Sequence, residues 1–470
     1  MDNAGLKKGY LELMDYQDNY PEIYEKEKEE LLSIYKNRIA IIDHVGSTSI
    51  KGIMSKPIID ILVQTNNLED FKNYTESNVE GEVYTVKKEP TMGGDYLIRK
   101  EEEGKVKAFI HVYQTGDIRG IRSIIFRDYL NSNEEERNRY NQLKIELCQD
   151  HKDDRKSYTY GKKEYIDNVI DKAIKEKTFA IIEIGSGNTK LHIYGSSNLL
   201  YEKVTTIQFK RNYKAENKII NSDLEKLYQV IEKAIEYTPN IHIYGCSIFR
   251  TISEEELNEI NDEIDKKYNL KIEVVTQEDE AQYTALGCYG DNDYKGTICI
   301  FIGGGGSTEL VFVKDKQIID KKYYGFGVVD ITHKFESLKE DVPEVSLEEV
   351  LKYVDELIGD INTKVDVMVL SGGDHIYWYK NAQYKLLDNN IYNAPNQKYI
   401  LTIQMSDEYD KDTYVTSLDT IRNNSDNPEW FDGCRAMKAI TNNISHKIGA
   451  KYIVPTSINM EDGIKNKLLN

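Results

Sequence analysis

Four successive glycines and two hydroxyl side chains, Gly303, Gly304, Gly305, Gly306, Ser307 and Thr308, separate the apolar runs 298–302 and 310–313. The pattern reads as strand, tight turn, strand. With no Cβ at four positions, backbone N–H groups approach a ligand closely, and the hydroxyls add donors. The chemistry this suits is the holding of phosphate oxygens; the plain alternative is a hairpin turn. An internal repeat favours the first. Residues 180–191 have the same layout, and setting Gly185 on Gly304 sets Thr189 on Thr308 and Leu191 on Leu310. Two more segments follow apolar runs. Cys246-Ser247-Ile248-Phe249-Arg250 leaves Arg250 just beyond a strand, and Gln277-Glu278-Asp279-Glu280-Ala281 opens a helix with three acids. Cleaving a phosphoanhydride requires loops for the phosphoryl oxygens, a cation for developing charge and a base to align water. Each residue type is present here. Each also has a plain reading: a surface Arg at a strand end, and acids favoured by the dipole of a first helical turn.

In this order, and with a later turn at Ser371-Gly372-Gly373-Asp374, these segments resemble the exopolyphosphatase/guanosine pentaphosphate phosphatase family over about residues 178–470. The resemblance implies a duplicated, two-lobed unit of the actin–hexokinase–heat-shock ATPase (RNase H-like) fold, each lobe presenting a phosphate loop to a shared cleft. It implies polyphosphate or a guanosine alarmone as ligand and Mg2+ as cofactor. Glu280 then stands as general base and Arg250 as phosphate clamp. Phosphate contacts fall on Gly185, Ser186 and Asn188 of the first turn, on Gly304, Gly305, Gly306, Ser307 and Thr308 of the second, and on Gly372 and Gly373. Two departures stand out. The family carries an aspartate two residues before the first glycine of each phosphate loop; here those places hold Glu183 and Ile302, and the internal repeat aligns the same two positions. Glu183 and Asp279, together with Glu309, are the carboxylates left to hold a metal in a different way. The resemblance therefore carries two classes of function: a phosphohydrolase, or a degenerate cleft that senses phosphate or alarmone.

Upstream, His44-Val45-Gly46-Ser47-Thr48-Ser49 is a small-residue turn, and Lys56-Pro57 leads into a buried-looking strand carrying Asp60. A strand-borne carboxylate after a Gly-Ser turn is the layout of nucleotidyltransferases, where the turn holds a nucleoside triphosphate and carboxylates hold Mg2+. The stretches HVGSTSIKGIMSKPIIDILV, FRDYLNSNEEERNRYNQLKIEL and YTYGKKEYI resemble the GrpB-like family, related to those enzymes. This implies a ligand site at Gly46, Ser47, Lys56, Asp60, His111 and Arg127. Leu62 stands where a second carboxylate would, so nucleotide transfer is the third and weakest reading.

The elements that position these residues follow from patterning. Strands and helices alternate, giving an α/β multidomain chain. The expected domains are 1–175, nucleotidyltransferase-like, then 178–292 and 293–470 as the two phosphatase lobes, joined by a helical segment 167–177 rather than a flexible linker. Ser222/Glu225, Ser253/Glu256 and Ser346/Glu349 have capping-box spacing. The chain has 470 residues, 80 acids against 61 bases and a net charge of −19. That charge argues against nucleic acid and anionic membrane as partners and requires a local basic site for any polyanion. No apolar run reaches spanning length. Five scattered cysteines without CxxC spacing read as reduced thiols, and the expected setting is the cytoplasm, with a homodimer open.

Overall fold

A computed structural model describes residues 4–88, 93–152, 154–185, 187–289, 294–391, 397–423 and 428–469; Ser186 lies outside them. The chain divides into two compact units, Met1–Val274 and Val275–Asn470.

The first unit holds two sheets. The N-terminal sheet has the order Ile41–Val45, Ile59–Thr65, Lys105–Gln114, Tyr96–Glu102, Tyr84–Val86, with Leu6–Lys7 added to Lys105–Gln114. Ile59–Thr65 runs parallel to Lys105–Gln114, and the other pairings are antiparallel. Period-two alternation splits its side chains between two cores. Ile59, Ile61, Val63, Ile110 and Val112 face one way, with Tyr20, Tyr35 and Phe71. Leu62 and Tyr113 face the other, with Ile121 and Ile125 of the helix Ile118–Ser132. The second sheet has the order Ile272–Val274, Ile241–Gly245, Thr178–Ile184, Asn188–Gly195, Asn198–Thr206.

The helical join expected between 167 and 177 is the helix Lys163–Lys177, and Thr178 begins the next strand at once. Its Val169, Ile170 and Ala173 belong to one continuous core shared with Leu62 and Tyr113 upstream and Ala180 and Ile182 downstream. The turn at Gly116 is clamped from the second sheet's side: its carbonyl accepts from Tyr237 Oη and, at 3.3 Å, from Lys233 Nζ. Tyr201 stacks on Tyr237 with ring centres 5.2 Å apart, and a Cβ on Gly116 would enter the Tyr201 ring. Residues 4–175 and 178–274 thus share one compact unit.

The second unit is a sheet in the order Gln317–Tyr324, Thr308–Lys314, Thr297–Gly303, Val367–Leu370, Tyr452–Pro455, Tyr399–Thr402, Leu387–Asp388. Its first five strands repeat the plan of the preceding sheet: three antiparallel strands, then two added in parallel. The unit begins at 275 rather than at the expected 293, because the helix Gln277–Tyr289 packs on the C-terminal helix Met460–Leu469. Gly463 makes that crossing possible; a Cβ there would fall on the carbonyl oxygen of Tyr283. Gly463→Ala is expected to cost at least the upper end of the usual overpacking range of about 1–3 kcal/mol, because backbone meets backbone and no rotamer relieves it. Chemical denaturation of the variant checks this.

Two of the three expected boxes form their N-cap half: Ser253 and Ser346 accept from the amides of Glu256 and Glu349 at 3.1 and 3.2 Å, while the Glu256 side chain accepts from Ile219 N at 2.6 Å. The third does not. The helix Asn221–Ile235 starts two residues early with Ile220 at its N-cap, while buried Asp223 holds the Asn212 side chain. The five cysteines are free. Among the described residues no helix is long and apolar enough to cross a membrane.

Candidate functional site

The N-terminal sheet carries a cavity of about 490 Å3. Strand register places Val45 beside Asp60, so the turn that follows Val45 lies against that carboxylate. Gly46 has φ +68°, and a Cβ there would strike Asp60, so both backbone shape and space require glycine. Ser47, Asp60 and His111 line the cavity with Arg119, Arg122 and Lys162. Leu62 is fully buried beside His111 in register. A second carboxylate arrives from elsewhere: Asp95, just ahead of the strand Tyr96–Glu102, meets His111 Nδ1 at 2.6 Å, while Asp60 meets Nε2 at 3.4 Å. Arg127 is not in the cavity. Its guanidinium is spent on Asp43, Asp128 and the His44 carbonyl, at 3.1, 2.7 and 2.8 Å. Lys56 stands over the Tyr158 ring, 5.5 Å from its centre.

The two glycine turns have one hydrogen-bond design. Gly185 N donates to Asn188 O and Gly304 N to Ser307 O, each at 2.9 Å, in the alignment that the repeat predicts. Thr189 and Thr308 are both fully buried at the following strand starts. In the first unit, Gly245 pairs with Ile184 and Cys246 N donates to Ile184 O at 3.0 Å. The first turn and the segment ending in Arg250 thus leave the same sheet edge. A surface pocket beside the first turn is lined by Gly187, Gln208, Lys210, Arg211 and Lys214. Those cations were missed in the sequence, where a short basic run looks like a solvated helix face.

In the second unit the exposed turn is braced from behind, where Gly304 O and Gly305 O accept from the amides of Val328 and Val329 at 3.1 and 2.7 Å. Among the described residues the amides of Gly305 and Gly306 make no backbone hydrogen bond. Gln277 Nε2 donates to Glu309 Oε1, tying the acidic helix start to the strand that follows the turn. Glu280 is half-buried in the first turn of that helix, its amide donating to Thr276 O at 3.0 Å. The late turn is different from expectation. Gly372 and Gly373 adopt φ +94° and +88°, but their amides donate to Ile458 O and Thr456 O at 2.9 and 3.0 Å, so they are not available to a phosphate.

The carboxylates assigned to Mg2+ are engaged with other protein groups. Glu183 pairs across the strand with Lys190 at 3.1 Å. Asp279 accepts from Thr276 Oγ1 at 2.6 Å and from its amide at 3.3 Å, a helix-start cap. Ile302 packs in an apolar cluster. Among the described residues no group of three or more His, Cys, Asp or Glu is placed to hold a metal ion.

Residues 10–172 match the family model for GrpB protein. The glutamate-rich protein GrpB of Alkalihalophilus pseudofirmus is 31% identical over 170 residues, covering 36% of this chain and 98% of that protein. The chain belongs to the GrpB family. The UPF0157 protein YqkA of Bacillus subtilis is also 31% identical, over 167 residues, and the match covers 36% of this chain and 48% of YqkA. Beyond the GrpB domain, residues 188–402 match the Ppx/GppA phosphatase family model. The crystal structure of the Aquifex aeolicus member of that family aligns with a TM-score of 0.53 at 20% identity, covering 62% of this chain and 97% of that one. A type II variant of the Aquifex aeolicus Ppx/GppA phosphatase aligns at 0.52 and 17%, over 62% and 99%. These two likenesses are of fold.

In the GrpB domain, burial opposes charging of the His111 ring, but its bonds to Asp60 and Asp95 outweigh that and push its pKa up to about 9. His111 is an imidazolium at neutral pH, flanked by two carboxylates. With an ordinary value near 6.5 in the unfolded chain, its stabilisation is fully present below about pH 6.5 and is lost as pH rises through 9. The loss is on the order of 3 kcal/mol. Denaturation of wild type and His111→Gln at pH 6, 7.5 and 9 checks this: the wild-type decline should flatten in the variant.

Proposed function

We propose that the C-terminal region is a phosphohydrolase that releases the terminal phosphate of inorganic polyphosphate or guanosine pentaphosphate. The observation that carries this reading is the repeated turn. Two strand ends bear the same glycine-rich bend, held by the same Gly-to-(i+3) hydrogen bond, and the second offers the Gly305 and Gly306 amides to an anion. Arg250 is assigned the clamping of phosphoryl oxygens. Glu280 is assigned the base: it takes a proton from the attacking water as the water oxygen bonds to phosphorus and the bridging P–O bond breaks. The bridging oxygen leaves with the shortened chain or nucleotide, and inorganic phosphate is freed. No step of this reading passes through Mg2+. The test is phosphate release from polyphosphate and from guanosine pentaphosphate, each with and without Mg2+, beside a binding titration. Release from either substrate above a Glu280→Gln control supports the reading; binding of both without release sinks it.

A second reading, a phosphate or alarmone sensor, is favoured by one observation. Where the family has its two aspartates, one carboxylate is neutralised by Lys190 and the other position is apolar. Binding without turnover is its signature.

A further inference from the structure

Buried cations in this protein are matched to acceptors. Lys100 pairs with Glu27 and Glu30 at 2.9 and 2.7 Å, and Lys438 pairs with Asp410 at 3.0 Å. Arg435 donates to the carbonyls of Glu340, Asp341 and Thr416 among others. One cluster of half-buried cations in the GrpB domain has no such carboxylate partner of its own. Lys56 precedes the strand of Asp60, Arg155 opens the helix Arg155–Gly161, and Lys162 sits between that helix and Lys163–Lys177. The buried Tyr158 ring lies close to two of them, its centre 5.5 Å from Lys56 Nζ and 4.5 Å from Lys162 Nζ. Arg155 stands 5.8 Å from the Phe109 ring. Behind them the fully buried Lys144 donates to Met54 O and lies 5.2 Å from the Tyr140 ring. Among the described residues none of these four makes an ion pair. The carboxylate they share is Asp60, already bonded to His111.

We propose that Lys56, Arg155 and Lys162 form a binding site for the pyrophosphate group of a small molecule. In a chain with 80 acids, three neighbouring half-buried cations with buried Lys144 nearby, none of them ion-paired among the described residues, concentrate uncompensated positive charge. A multiply charged anion with several acceptor oxygens compensates that charge, and a singly charged one does not. Burial first, and then the neighbouring cations, lower the pKa of Lys56 to about 8 and those of Lys144 and Lys162 to about 7. That mutual depression is what a preformed anion site shows when empty. Lys162 also lines the cavity that runs past Ser47, Tyr113 and Tyr140, so a nucleoside attached to the pyrophosphate has room of about 490 Å3.

The test is amine acetylation of the full chain, read lysine by lysine by mass spectrometry, with pyrophosphate, ATP, GTP or sulfate present. Because the readout is local, it stands apart from any ligand held by the C-terminal region and from phosphate release there. Pyrophosphate or a nucleotide should protect Lys56 and Lys162 by about tenfold or more, the effect of one charge-assisted contact. Tighter protection by nucleotides identifies a nucleotide source, and equal protection identifies the free anion. Lys162→Met should raise the melting temperature without ligand and reduce the protection of Lys56 about tenfold. Protection by sulfate equal to that by pyrophosphate, no protection by any probe, or a lowered melting temperature in both Lys162→Met and Lys56→Met would overturn the proposal.

Discussion

Replacing Glu280 by Gln is expected to abolish most phosphate release while leaving ligand binding intact. Glu280 is half-buried in the first turn of Gln277–Tyr289, and that helix start is fixed to the strand after the second glycine turn through Gln277 and Glu309. The substitution keeps size and hydrogen-bonding capacity but removes the proton acceptor. General-base catalysis is worth about 10² to 10⁴ in rate. The contrast is Arg250→Ala, which removes a cation assigned to the substrate and should weaken binding as well as turnover. Single-turnover phosphate release and equilibrium titration of both variants separate the two roles. Glu280→Gln within threefold of wild-type release, or with binding lost, would remove Glu280 from the mechanism.

Ile302→Asp is expected to make the protein respond to Mg2+ in a way that the wild type does not. Register sets Ile302 directly opposite Glu309, which is buried. The equivalent pair in the first unit is Glu183 opposite Lys190, where opposite charges attract. A carboxylate at 302 would face a like charge in a half-buried place, so without metal the variant should lose about 1–3 kcal/mol of stability. A divalent cation bridging the two carboxylates would return that: at about 100 times its Kd a ligand adds about 2.7 kcal/mol. Thermal melts of wild type and variant over a Mg2+ series read this without reference to activity. Mg2+-dependent phosphate release that rises in the variant would identify the chain as an enzyme that has lost a metal ligand. Equal Mg2+ shifts in both proteins would show that Ile302 is simply core.

Local chemistry was legible in the sequence, and long-range pairing was not. The glycine turns follow from residue type alone, since four positions without Cβ between apolar runs admit little else. Gly46 and the strand of Asp60 were equally plain. Asp95 was invisible because it lies 16 residues from His111 and reaches it across the Tyr96–Glu102 and Lys105–Gln114 pairing. Arg127 looked like a phosphate ligand, yet the turn of its helix delivers it to Asp43 and Asp128. Gly372 and Gly373 have the backbone freedom of a phosphate turn, but the segment after Tyr452–Pro455 takes their amides. Lys144 and Lys162 were not distinguishable in the sequence, because nothing in their neighbours along the chain announces that helices will carry them together.

What the sequence by itself determined is the set of local units: which segments become strands and helices, where the tight turns fall, that one two-strand bend occurs twice, and that the N-terminal part resembles the GrpB family. These depend on side-chain period and backbone freedom within a few residues. What only the tertiary structure decided is how charges and donors are spent. Glu183 on Lys190, Asp279 on Thr276, Arg127 on Asp43, and Lys56, Arg155 and Lys162 on aromatic rings without an ion pair among the described residues are outcomes of packing. The reason is physical: a hydrogen bond or ion pair is settled over a few ångströms of space, and folding brings within that range residues that the chain holds tens of positions apart.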